Sequence, residues 1–168
     1  TAHCNTAFGS CALFANTTGN HNTAVGTKSL KATTTGESNA FIGTFSGYSL
    51  TTGCSNAGVG RSALQSTTSG CYNVAVGKSA LVYNTTPTGN NAVGSFSLYS
   101  NTTGHTNNAF GFCALKSNTT GCSNVAVGNR ALLTATTGCD NTAIGTSALR
   151  LNTTASNNTA FGSCALYA

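Results

Sequence analysis

Asparagine recurs at positions 5, 22, 39, 56, 73, 90, 107, 124, 141 and 158, a spacing of 17 never broken by an insertion or deletion. With each of these residues set as repeat position 1, position 5 is Gly in all ten copies, from Gly9 to Gly162. Position 4 is always Phe, Val or Ile, position 8 is Ala or Ser, and position 9 is Leu except at Gly47. Position 13 is Thr in all nine copies that reach it, and position 14 is Thr except at Ser69. A strict period means one structural unit per copy, stacked on an identical neighbour. A helical hairpin needs about 30 residues or more, and Thr, Asn, Gly and Val favour strands and turns. The period therefore predicts an all-β chain: a parallel β-solenoid of ten 17-residue coils, filling residues 1–168 as a single domain. In-register coils about 4.8 Å apart make a rod about 48 Å long.

In such a rod each repeat position becomes a ladder. The two large apolar columns, Phe8 to Phe161 at position 4 and Leu at position 9, are expected to point inward, flanked by the small residues of positions 3 and 8. The Asn ladder suits a buried corner where each amide bonds its counterpart one coil away. The Gly columns mark turns of positive φ or close backbone approach. Position 10 mixes Phe14, Lys31, Tyr48, Gln65, Val82, Tyr99, Lys116, Leu133, Arg150 and Tyr167, which reads as an outward column offering aromatic rings to lateral partners or glycans.

The motif Asn-Thr-Ala-Val-Gly-x-x-Ala-Leu-x-x-Asn-Thr-Thr-Gly runs through the whole chain, from Asn5-Thr6-Ala7-Phe8-Gly9 to Asn158-Thr159-Ala160-Phe161-Gly162. It resembles the repeats of phage and viral tail-fibre shafts, and the Asn-x-Ala-(Val/Ile)-Gly core of the β-roll head of trimeric autotransporter adhesins. The resemblance implies an extracellular, cell-surface or virion fibre of parallel β coils, with several solenoids side by side and no catalytic residue. Eight Cys depart from it, as does the lack of a chaperone, anchor or binding tip in the sequence.

The expected function is thus that of a structural fibre subunit whose main partner is a copy of itself. The four residues before Asn5 and the eleven of the last copy together fall two short of one coil. This predicts head-to-tail stacking in which one copy nearly completes the broken coil of the next. The alternative is a fragment of a longer shaft. No basic-then-apolar leader opens the chain, so it reads as a mature segment.

The Cys residues keep to the frame. Cys54, Cys71, Cys122 and Cys139 share position 16; Cys11, Cys113 and Cys164 share position 7; Cys4 is at position 17. Cys54 with Cys71, and Cys122 with Cys139, are one coil apart, within disulfide reach, and are expected to form rung-to-rung staples. Cys11 and Cys164 would meet across a head-to-tail junction, with Cys4 a further intersubunit candidate; semi-buried thiols are the plain alternative. Asn16, Asn84, Asn101, Asn118 and Asn152, all at position 12, and Asn157 match the N-glycosylation acceptor, although Asn-Thr-Thr-Gly is equally a good turn.

Charge excludes other classes. Seven Lys or Arg and two acids give a net charge of +5, so no carboxylate-rich metal site can be built. No Cys-x-x-Cys occurs, and His3, His21 and His105 are scattered, so no metal or cofactor is expected. Glu37 and Asp140 lie six coils apart, about 29 Å, which excludes an acid–base pair within one chain and with it an enzyme of that kind. The basic residues are too sparse to match the phosphates of a duplex, and no apolar run approaches the roughly 20 residues of a membrane helix. An ice-binding solenoid using an outward Thr column is the alternative from another class. The pleat allows only one of two adjacent Thr columns to face out.

Overall fold

The computed structural model describes residues 1–167 and contains ten strands: β1 (Thr6–Phe8), β2 (Thr23–Val25), β3 (Ala40–Ile42), β4 (Ala57–Val59), β5 (Val74–Val76), β6 (Asn91–Val93), β7 (Asn108–Phe110), β8 (Val125–Val127), β9 (Thr142–Ile144) and β10 (Thr159–Phe161). They form one parallel sheet in chain order. Partners are 17 residues apart throughout, Ala7 opposite Ala24 at one end and Ala160 opposite Ala143 at the other. The chain is a parallel β-solenoid, one short strand per coil.

The core is a thin column. Leu30, Leu64, Leu81, Leu98, Leu115 and Leu132 at position 9 are fully buried, and face the buried Ala residues of position 3, such as Ala75, Ala92 and Ala109. Position 8 closes the same space with Ala or Ser. Position 4 does not point inward as expected. Phe8, Ile42, Val59, Val76, Val93, Phe110, Val127 and Phe161 are exposed. Strand side chains alternate between faces, so with Ala of position 3 inside, positions 2 and 4 must face out. The narrow interior sets the choice: Leu from one side leaves room only for a small residue opposite, because overpacking a close-packed core is itself destabilising.

The third coil shows the same volume constraint by exception. Phe41 occupies the Ala position and is fully buried. Two glycines make its space: a Cβ on Gly47, where other coils carry Leu, would lie 2.8 Å from the Phe41 ring, and one on Gly58, opposite Phe41 in β4, would lie 2.4 Å from it. Leu50, at position 12, is buried in the same coil.

Polar ladders close the corners. The position-1 amides are buried apart from the half-buried Asn5 and Asn158, and bond as expected. Asn56 Nδ2 donates to Asn39 Oδ1 at 3.1 Å and to Gly70 O at 2.8 Å, while the Asn56 backbone N donates to Asn39 Oδ1 at 3.0 Å. Near position 13, Thr17 N, Thr18 N and Gly19 N all donate to Thr34 O, at 3.0, 3.1 and 3.3 Å, and Thr17 Oγ1 joins them at 3.0 Å. Left-handed backbone recurs at fixed positions. Position 5 is always Gly with φ between 126° and 142°, and its missing side chain admits the next coil, the Gly77 Cβ direction lying 2.7 Å from Gly94 C. Positions 7, 9 and 17 also have positive φ, but there mostly with residues other than Gly.

Candidate functional site

The functional features of a rod are its outward columns. The largest is position 4. It carries an apolar side chain at every one of ten coils, on the outward face of the sheet. Exposure is highest at the terminal rings, 75% for Phe8 and 81% for Phe161, and stays near 36–49% through Ile42, Val59, Val76, Val93, Phe110 and Val127. Position 2 beside it holds Thr, Ala, Val and Asn and no charge.

A second face lies at positions 6, 7 and 10, where all seven cations fall. Position 10 stands outward or half-buried, apart from the buried Val82. Four of the seven cations are braced by rings. Lys28 lies over the Phe45 ring, Lys31 over Tyr48, Lys78 over Phe96 and Arg150 over Tyr167, each 5.4–5.5 Å from the ring centre. Arg150 also hydrogen-bonds the Tyr167 hydroxyl. Tyr83, Phe96, Tyr99 and Phe112 meet edge to face. A hydrogen bond to Tyr83, with burial adding, raises the Tyr99 phenol above its usual range.

A third surface is the Thr pair. The position-13 hydroxyls are consumed by the next coil's carbonyl, as Thr51 Oγ1 on Thr68 O at 3.1 Å and Thr102 Oγ1 on Thr119 O at 3.1 Å. The position-14 column is exposed at all nine coils, from Thr18 to Thr154. The position-12 amides are not outward. Asn84, Asn101 and Asn118 are fully buried, and Asn118 Nδ2 donates to Asn101 Oδ1 at 2.8 Å and to Gly121 O at 3.0 Å. Asn16 and Asn152 are half-buried, their Nδ2 groups bonding Gly19 O and Ala155 O. The expected glycan-bearing line is therefore corrected: position 12 points into the coil, and its amides act as turn and ladder donors. Asn157 alone of the six is exposed.

The eight Cys stand as thiols. The two expected pairs do stack. Cys122 Sγ lies 2.7 Å from Cys139 Sγ, and the backbone N of Cys54 and of Cys122 each donates to the partner sulfur at 3.1 Å. The rung-to-rung neighbours are present, one coil apart, as the spacing predicts. Hydrogen bonding to Cys71, then burial and the nearby charges of Cys71 and Glu37, push the Cys54 thiol up to about 11. Cys122 is likewise raised, first by Cys139. Cys11 and Cys164 are exposed at opposite ends of the rod, Cys4 is exposed, and Cys113 is buried.

Columns 16 and 17 together hold a grouping that linear reading left dispersed. All three His, both acids and five of the eight Cys fall there: His3, Cys4, His21, Glu37, Cys54, Cys71, His105, Cys122, Cys139 and Asp140. The signal was available, since each of these residues has the same phase in the 17-residue frame as the paired Cys or the position next to it. No protein-family profile, curated protein or solved structure matches the chain.

Proposed function

We propose that this solenoid is a structural subunit of an extracellular or virion-borne fibre that associates with copies of itself. The reading rests on the outward apolar column of position 4. Ten Phe, Val and Ile side chains in one line, eight exposed and Val25 and Ile144 half-buried, form an apolar surface of the kind that marks an interaction site. Their step of about 4.8 Å along the rod fits a partner with the same step, and a second solenoid of this chain supplies it. Sheet faces pack about 10 Å apart with interdigitated side chains, a geometry that bulges of Phe among Val and Ile can fill. An end-to-end contact, coil upon coil, is the second. The cation–aromatic face remains free in such a bundle and is the surface for glycan partners.

Electron microscopy of the protein without reductant tests the reading. Continuous filaments with an axial repeat near 4.8 Å, wider than one rod, support it. Separate single rods at high protein concentration would sink it. A Cys11–Cys164 cross-link between copies would place the junction head to tail.

The exposed position-14 column favours a second reading, ice binding. Its Thr residues lie in register on eight of the nine coils, Ser69 standing in the other. Thermal hysteresis of the soluble protein is its test, and freezing-point behaviour no different from that of an inert protein removes it.

A further inference from the structure

The chain has only two carboxylates, and each stands beside one of its only two stacked Cys pairs. Glu37 precedes Cys54 by one coil in column 16, and Asp140 follows Cys139 directly in the chain. One backbone bond recurs at both places and fixes the stacking. Ser55 N donates to Glu37 O at 3.0 Å and Tyr72 N to Cys54 O at 3.1 Å. Ser123 N donates to His105 O and Asp140 N to Cys122 O, both at 3.1 Å. The order along the edge is therefore Glu37, Cys54, Cys71 at one place and His105, Cys122, Cys139 with Asp140 at the other. Glu37, His105 and Asp140 are exposed and the four sulfurs half-buried, so both places open to solvent on the same edge.

A disulfide staple is neutral and has no use for a carboxylate at its side. A bound cation does. The geometry points to two sites for a thiophilic divalent cation of the zinc and cadmium class, each held by the two sulfurs of a stacked pair with the neighbouring carboxylate as the third donor. His105 adds an imidazole at the second site. Soft thiolates select such ions, with imidazole and carboxylate as their usual companions. Two metal–sulfur bonds of about 2.3 Å at a tetrahedral angle set the sulfurs about 3.8 Å apart. That lies between the present 2.7 Å contact of Cys122 and Cys139 and the coil step of about 4.8 Å, so side-chain rotation alone reaches it. Among the described residues no three such side chains converge on one point, so the site requires the exposed carboxylate to rotate toward the sulfurs. Each pair gives up two protons to solvent as its thiols become thiolates, and the two thiolates and one carboxylate carry three negative charges against the two of the ion. Stacking at 17 residues replaces the short Cys-x-x-Cys spacing on which a sequence search for such sites relies.

The test is titration of the full, phosphine-reduced, metal-free protein with Cd²⁺, read by the ultraviolet sulfur-to-metal charge-transfer band. Two equivalents per chain are expected. Cys71→Ser leaves one, and Cys71→Ser combined with Cys139→Ser leaves none, with circular dichroism confirming the fold of each variant. Glu37→Gln keeps the stoichiometry and weakens one site by at least about tenfold. Cys11→Ser and Cys164→Ser change nothing. Absence of the band in the reduced wild type overturns the inference, and so does a band of undiminished strength in the double Ser variant. Neither result bears on fibre formation, which is read by microscopy.

Discussion

Among the described residues positive φ outside Gly occurs at three repeat positions only, 7, 9 and 17, and includes Lys28, Phe45, Tyr72 and Arg130. A left-handed residue with a Cβ costs about 1–2 kcal/mol, so each coil carries a conformational load that its stacking must offset. Position 17 is the place to relieve it, because the side chain there is exposed and Gly89 already occupies it in one coil. Tyr72→Gly is expected to stabilise the protein by about 1 kcal/mol, seen as a higher thermal midpoint; an unchanged or lower midpoint would mean that the ring supports the coil. At position 9 the same backbone directs Leu into the core, so Leu98→Ala should cost about 2–5 kcal/mol in denaturant unfolding. The Cys54 thiol gives a pH signature. Its ionisation in the folded chain waits until about 11, against 9.0 for an unhindered thiol. Its contribution to stability is therefore full below about 9 and is lost as pH climbs toward 11. Alkylation of Cys54 should accelerate only in that upper range, and Cys71→Ala, which removes the largest cause, should move the profile down.

At the scale of the coil, Pro87 marks the weak joint. It stands where most other coils have Gly at position 15, and it has no N–H to give. The three-amide fork on one Thr carbonyl is lost on both sides of it, as it also is where Thr136 N alone reaches Thr153 O at 2.7 Å beside Ala155. Thr68 N alone reaches Thr85 O, at 2.8 Å, and Thr85 N alone reaches Thr102 O, at 3.4 Å. Asn84 Nδ2 is left buried without a partner in the same coil. Pro87→Gly is expected to restore the fork and slow hydrogen exchange of the amides at positions 13–15 in coils four and five; exchange as fast as in the parent would refute the assignment. The coil is also where sequence reading succeeded and failed. The period, the parallel register, the inward Leu and the Asn ladder all follow from spacing. The inward placement of position 4 did not hold, because apolarity alone cannot rank two neighbours on a three-residue strand. Phe41 carried the missing signal: at position 3 a large residue is balanced by Gly47 and Gly58, whereas Phe, Val and Ile exchange at position 4 with no compensation. The left-handed turns at positions 7 and 17 were illegible for another reason. Lys28, Phe45, Arg130 and Tyr72 have no preference for that conformation, and coil closure imposes it on them.

Along the whole rod, unlike surfaces run in parallel without crossing: an apolar line at position 4, cations braced by rings at positions 6, 7 and 10, hydroxyls at position 14, and thiols with carboxylates and imidazoles at positions 16 and 17. Charge placed on the apolar line should separate assembly from folding. Val59→Asp with Val127→Asp substitutes two exposed side chains four coils apart, not paired with each other in the sheet, so the monomer should unfold almost as before, while association measured by light scattering falls to that of a single chain. Retained association would move the contact to another face. The unvarying step of 17 residues has a further consequence, for inheritance. Unequal recombination between nearly identical repeats adds or deletes whole coils, and every surface line then resumes in phase beyond the splice. Reach becomes a trait that changes in fixed increments of about 4.8 Å, while the chemistry of each face is copied unchanged.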